Sequence, residues 1–201
     1  DVAAPSNLPD GLADQLSWDW DNVAALVKSE GWGDNVTSEK IRTHYGGYSI
    51  SPRQGLRVIS LNTDMWYRNN PFSYLNIDNP DPSHMLRWLT DELQAAEDNN
   101  ERAWIVGHVL PGWDGGHTIA HSFFGHKHED MFHVWYESQS GNSSSVSRKT
   151  QNARAMAFIG PSITPLHNVN PSLRVYHVDP ETYEVMDYSQ YYTQLYNFEK
   201  L

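Results

Sequence analysis

The sequence predicts a mixed α/β fold whose strands concentrate toward the C-terminus. Three observations carry that prediction. A strand, a helix and a second strand follow one another between residues 56 and 106, the pattern of a parallel pair joined by a helical crossover. Two more apolar runs, 119–124 and 132–136, read as strands. Two alternating runs, 173–178 and 183–188, flank Asp179-Pro180-Glu181-Thr182 and read as a hairpin. With 201 residues, 39% hydrophobic and 19% charged, the chain can bury a core and lacks the composition of a disordered segment. No internal repeat and no linker interrupts it, so 1–201 is taken as one domain.

Each element has a local reason. Residues 1–16 are rich in Pro, Ala, Asn and Asp and read as an irregular lead-in. Val23, Leu26 and Val27 would share one face of a helix over 21–29, broken by Gly31, Gly33 and Asp34. Gly46-Gly47 reads as a turn into a strand at 48–50. The run 56–61 is a strand bounded by Gly55 and Asn62, and a polar, aromatic loop follows to Pro80. Asp81 and Pro82 make an N-cap and first-turn signal. The helix they open places Met85, Leu89, Leu93 and Ala96 on one stripe and ends at 97–100. The strand 103–106 runs into Gly107-His108, and 119–124 runs into Gly125-His126. Residues 138–152, rich in Ser and Asn, read as a loop.

Composition excludes several function classes. The net charge is −11 and no basic run occurs, which argues against a nucleic-acid partner. There is no cysteine, so any metal must be held by His, Asp, Glu or Asn. No apolar run reaches the length of a transmembrane segment. No signal peptide is present and the chain starts at Asp1, which reads as a processed or partial chain. Asn35 and Asn142 head glycosylation sequons and permit a secreted protein. Eight Trp and eleven Tyr point first to core packing, with carbohydrate or lipid contact as the sharper reading.

The chemistry concentrates where strands end. In open α/β sheets, sites lie beyond the carboxyl ends of strands. Gly107 and Gly125 would let the chain turn sharply there, so that His108 and His126 point into a crevice. His128 follows one residue later. A histidine after a strand is more often a hydrogen-bonded surface residue than a ligand, so spacing alone leaves both readings open. His117 and His121 are four apart, but the helix that spacing needs is absent, and they read as non-ligating.

Longer motifs narrow the choice. Gly107-His108-Val109-Leu110-Pro111-Gly112 and Gly125-His126-Lys127-His128 resemble the last two metal-binding motifs of the calcineurin-like metallophosphoesterases. The segments 56–63, 89–93, 107–115, 159–165, 170–176 and 187–192 resemble the acid sphingomyelinase family, especially its fungal secreted members. The resemblance covers nearly the whole chain. It implies a β-sandwich flanked by helices, of which this chain would be the C-terminal part. It implies a binuclear zinc phosphodiesterase, secreted or lysosome-like, that splits sphingomyelin into ceramide and phosphocholine. By motif position, His108 and His126 would bind one zinc and His128 the other. A lipid is among the candidate substrates.

The departures are informative. The earlier family motifs DxH, GDxxxxN and GNH are absent, and with them the carboxylate ligands and the histidine that protonates the leaving group. Asp1 would then stand just after GNH, and an upstream segment of the same protein would be required for activity. The Asp114-Gly115-Gly116-His117 junction is shorter than in the family and suggests residues left out. Leu166 stands where animal members carry an aromatic near the headgroup. Three rivals remain: a non-catalytic globular fragment or binding module, a nucleotide or polyphosphate hydrolase, and a mononuclear three-histidine zinc enzyme.

Overall fold

A computed structural model describes residues 12–75, 77–110, 122–136 and 150–196. In it the chain divides into two units, Asp1–Thr118 and Ile119–Leu201. The first unit contains α1 (Leu12–Ser29), α2 (Asn35–Thr43), β1 (Tyr48–Arg53), β2 (Leu56–Ser60), α3 (Met85–Asp98) and β3 (Arg102–Val106).

The helices of this unit depart from expectation at their starts. α1 begins at Leu12, so residues 12–16 are helical rather than irregular. Its buried stripe is Trp20, Ala24 and Val27, at helical spacing, and the expected Leu26 is 56% exposed. α2 was not expected, because Asp34 read as a breaker. Asp34 is instead its N-cap: a carboxylate oxygen accepts from the Thr37 amide at 2.8 Å and from the Thr37 hydroxyl at 3.1 Å. Ile41 then anchors α2 against Ala24 and Val27. Asn35 lies exposed in the first turn of α2, while Thr37 of its sequon is buried.

Parallel pairing of β2 with β3 through α3 holds as expected, and β1 adds antiparallel to β2. Gly46 suits the turn before β1, with φ of 89° and a tight neighbour: a Cβ there would lie 3.0 Å from the Trp20 ring, which would have to shift. The Asp81 signal also holds, displaced by one turn. Pro82–His84 forms a 3-10 turn, with left-handed Ser83 and His84, before α3 starts at Met85. The Asp81 carboxylate reaches across it to accept from the amides of Leu86 at 2.6 Å and Arg87 at 3.1 Å. Met85, Leu89 and Ala96 are buried as expected, and Trp88 and Glu92 join them.

Glu92 brings a charge into that face. Its Oε2 accepts from the Ser49 hydroxyl and from Arg57, both at 2.6 Å. Arg57 also donates to Glu101 at 2.8 Å, and Lys40 stands 3.6 Å from Glu92. α2, β1, β2 and α3 are thereby tied through one carboxylate. Burial pushes the Glu92 carboxyl up, but the hydrogen bonds from Ser49 and Arg57 and the charges of Lys40 and Arg57 outweigh it and hold the pKa below its ordinary 4.5.

The second unit contains β4 (Ser122–Phe124), β5 (Met131–Tyr136), β6 (Ala153–Ile159), β7 (Ser172–Val178) and β8 (Val185–Tyr192). β4 pairs parallel with β6, and β5 pairs antiparallel with the other edge of β6. β6 was not foreseen, although it is the central strand of the three. The expected strand over 119–124 is described from Ser122 on, and its first residues lie outside the described ones. So do residues 138–149 of the expected loop, with the Asn142 sequon; residues 150–152 form a 3-10 turn. The β7–β8 hairpin forms as expected. Tyr176 of the hairpin packs edge-on against Phe123 of β4 and Phe158 of β6, at ring separations of 5.0 and 5.4 Å. The hairpin thus faces the three strands as a second layer. Among the described residues, no helix is long and apolar enough to cross a membrane.

The Glu92 network generates a prediction. Arg57→Met leaves Glu92 and Glu101 without their main cation, and should destabilise the fold by about 3 kcal/mol in urea unfolding. Because the folded pKa of Glu92 is lowered, its contribution is fully present above pH 4.5 and lost as pH falls through the folded value. Glu92→Gln should therefore flatten the loss of stability on acidification; an unchanged pH dependence would rule out this role.

Candidate metal centre

His108 follows directly on the β3 strand end. The strand stops at Val106, and the Val106 carbonyl accepts from the Leu61 amide at 2.8 Å. The backbone then turns over Thr63, whose Oγ1 accepts from the amides of His108 at 3.0 Å and Val109 at 2.8 Å. Thr63 is 4% exposed, and Val109 and Leu110 are buried. This buried hydroxyl fixes the turn and leaves the His108 side chain exposed. Thr63 closes the family-like segment 56–63, but nothing in the sequence pointed to this positioning role.

In the second unit, the turn between β4 and β5 carries His126 and His128, both half-buried. The expected pivot, Gly125, is not left-handed: the described glycines with positive φ are Gly31, Gly46 and Gly55. The left-handed conformation falls on the histidines themselves, with φ of 68° at His126 and 61° at His128. The Lys127 amide donates to the Gly125 carbonyl at 2.8 Å, closing a three-residue turn centred on His126, the rare and strained γ hand. Strain of this kind persists only where the surroundings enforce it, and it concentrates at functional sites.

The enforcing contact comes from the hairpin. Asp130, two residues after His128, is ion-paired with Arg174 of β7, whose side chain is 3% exposed. Arg174 also donates to the Tyr176 hydroxyl at 3.1 Å and lies over the Tyr188 ring at 4.3 Å. Because β4 and β6 are parallel, the segments after them emerge at one end of the sheet. That brings His167, in the loop after β6, to 5.7 Å from His128, ring to ring. His167 is itself left-handed, with φ of 64°. It was not singled out from sequence; its position beside Pro165 and Asn168 reads only as a turn.

One feature of the turn bears on zinc binding. His128 Nδ1 is buried and has no hydrogen-bond partner. Buried polar atoms are nearly always satisfied, and a neutral imidazole nitrogen is a common metal ligand. The His128 nitrogen is thus compatible with the role of a zinc ligand. It does not complete a centre: among the described residues, no group of three or more His, Asp or Glu could hold an ion. His117 and His121 lie outside the described residues.

Comparison with known proteins places this geometry in context. No family model matches the sequence. The chain is 36% identical to sphingomyelin phosphodiesterase B of Dictyostelium discoideum over 94% of its own length and 30% of the relative's. It is 36% identical to human sphingomyelin phosphodiesterase over 85% of its own length and 28% of the relative's. It is 26% identical to the cyclic GMP-AMP phosphodiesterase SMPDL3A of Bos taurus over 82% of its own length and 41% of the relative's. The chain thus spans under a third of the length of the more similar sphingomyelin phosphodiesterases.

If Thr63 positions the His108 turn, Thr63→Val should strand two amides and destabilise the protein by about 2 kcal/mol in urea unfolding. A change within about 0.5 kcal/mol, the range of neutral surface substitutions, would show that the hydroxyl is dispensable.

Proposed function

Because this chain belongs to the acid sphingomyelinase-like metallophosphoesterases, we propose that it serves metal-assisted hydrolysis of a phosphodiester, with sphingomyelin the leading substrate. The observation that carries the proposal is the orphaned Nδ1 of His128 in a strained, buttressed turn at a strand end. His108, His126 and His128 would be the histidine ligands of two zinc ions. Bound there, the ions would activate a water and stabilise charge on the attacking and leaving oxygens. The chain's own residues do the positioning. Thr63 holds the turn of His108, and Arg174, through Asp130, holds the turn of His126 and His128.

Three neutral imidazoles cannot balance two dications, so carboxylate ligands would come from a segment outside these residues, upstream of the histidine motifs. The leaving-group acid would come from the same segment. The sphingomyelin reading is favoured over nucleotide hydrolysis by identity, 36% against 26%. A secreted or lysosome-like location and glycosylation at Asn35 or Asn142 belong to the same proposal.

The test is hydrolysis of a chromogenic phosphodiester by the full-length protein carrying this chain. His126→Ala should lower kcat/KM by at least about 100-fold, the upper end of what disturbing a ligand's support alone does, with an unchanged circular dichroism spectrum. Wild-type activity in the folded variant would contradict the proposal.

A further inference from the structure

His167 stands beside His128 without belonging to either Gly-His motif. It falls between the family-like segments 159–165 and 170–176, outside both. A short 3-10 turn, Leu166–Asn168, presents it. The Pro165 carbonyl accepts from the Asn168 amide at 3.1 Å, and His167 and Asn168 are both left-handed, with φ of 64° and 61°. That backbone is unfavourable for any residue but glycine, and it concentrates at functional sites.

The two rings meet at 5.7 Å between centres and 61° between planes. Two neutral imidazoles in contact can share an N–H···N bond. Here the contact is not a hydrogen bond to His128 Nδ1, because that atom is buried and has no partner. Edge-to-face packing alone explains the distance but leaves the buried nitrogen unsatisfied. A cation held between the rings explains both. At a zinc–nitrogen distance of about 2.0–2.1 Å, two imidazoles on one tetrahedral ion have ring centres about 5.2 Å apart, rising to about 6.4 Å when the ion lies on the line between them. The observed separation falls between these values. His167 is exposed, so its ring can turn a nitrogen toward the ion without repacking a core.

We propose that His167 is a further metal ligand, which shares with His128 the zinc ion assigned to that residue. The inference rests on the proposed function for the ligand role of His128 and deepens it. The ion would take two imidazoles from the segments that follow β4 and β6, and the segment outside this chain would have one position fewer to fill.

The experiment is a zinc competition titration of the metal-free full-length protein against a chromophoric chelator. In His167→Asn the affinity for one ion should fall at least about tenfold, the least that loss of a ligand's support alone costs. The other ion should keep its affinity. Asn tolerates the left-handed backbone at this position, so the circular dichroism spectrum should match that of the wild type. His167→Phe keeps a ring against His128 but loses both nitrogens, and should weaken the same ion to the same extent. With cobalt(II) in place of zinc, both variants should alter the visible absorption of one ion, since the bands follow the ligand set. Wild-type affinity in folded His167→Asn would overturn the assignment. So would wild-type affinity in His167→Phe, which would show that the ring only packs. Affinity is read without substrate. Hydrolysis together with unmoved zinc affinity in His167→Asn overturns the ligand role of His167 alone. Lowered affinity in that variant of a protein that hydrolyses no phosphodiester upholds the ligand and counts only against hydrolysis.

Discussion

The ion pair between Asp130 and Arg174 is the contact on which the second unit's chemistry rests. Two left-handed histidines on either side of one lysine are not a conformation that a free loop would keep. They need a neighbour that fixes the chain just beyond them. Arg174 does this from the inner face of the β7–β8 hairpin, where burial and the Tyr188 ring leave its guanidinium little freedom. The hairpin is therefore more than a lid on the strands. Its Tyr176 packs it against Phe123 and Phe158, and its Arg174 ties it to the turn that carries His126 and His128. The first unit solves the same problem differently. There a buried hydroxyl, Thr63, gathers two amides so that the chain can leave β3 and present His108.

Both solutions follow from parallel strands. A parallel pair sends its connecting segments out at one end, so side chains that are distant in sequence meet there without a special fold. The approach of His167 to His128 is the clearest case: thirty-nine residues separate them, and the β4–β6 pairing brings them together. A cleft lined by His128, Glu129 and Tyr192 extends the same region toward the end of β8. The turn that carries His128 and the cleft then lie in one region of the second unit.

Much of this was legible in the sequence, and the failures have physical reasons. The crossover from β2 through α3 to β3 was readable because the stripe of Met85, Leu89 and Ala96 follows the helical period and Asp81 caps it. The β7–β8 hairpin was readable from alternation around an Asp-Pro turn. β6 was not: Ala153-Arg154-Ala155-Met156-Ala157 carries residues that favour helices, and only its neighbours on both edges make it a strand. α2 was missed because its single strong apolar anchor is Ile41 and its cap, Asp34, also suits a loop. At the site, the Gly-His motifs point to His108, His126 and His128, but the turn expected at Gly125 is made by left-handed residues at the histidines themselves. Arg174, Thr63 and His167 carry no local signal, since their roles arise from pairing between distant strands.

The role proposed for His108, His126 and His128 is to hold zinc in a two-metal hydrolytic centre. The most direct measurement is the zinc content of the purified full-length protein and of its His128→Ala variant, by mass spectrometry of the metal against protein concentration. The account predicts two zinc ions in the wild type and the loss of at least one in the variant. One zinc in the wild type, or two retained in His128→Ala, would contradict it.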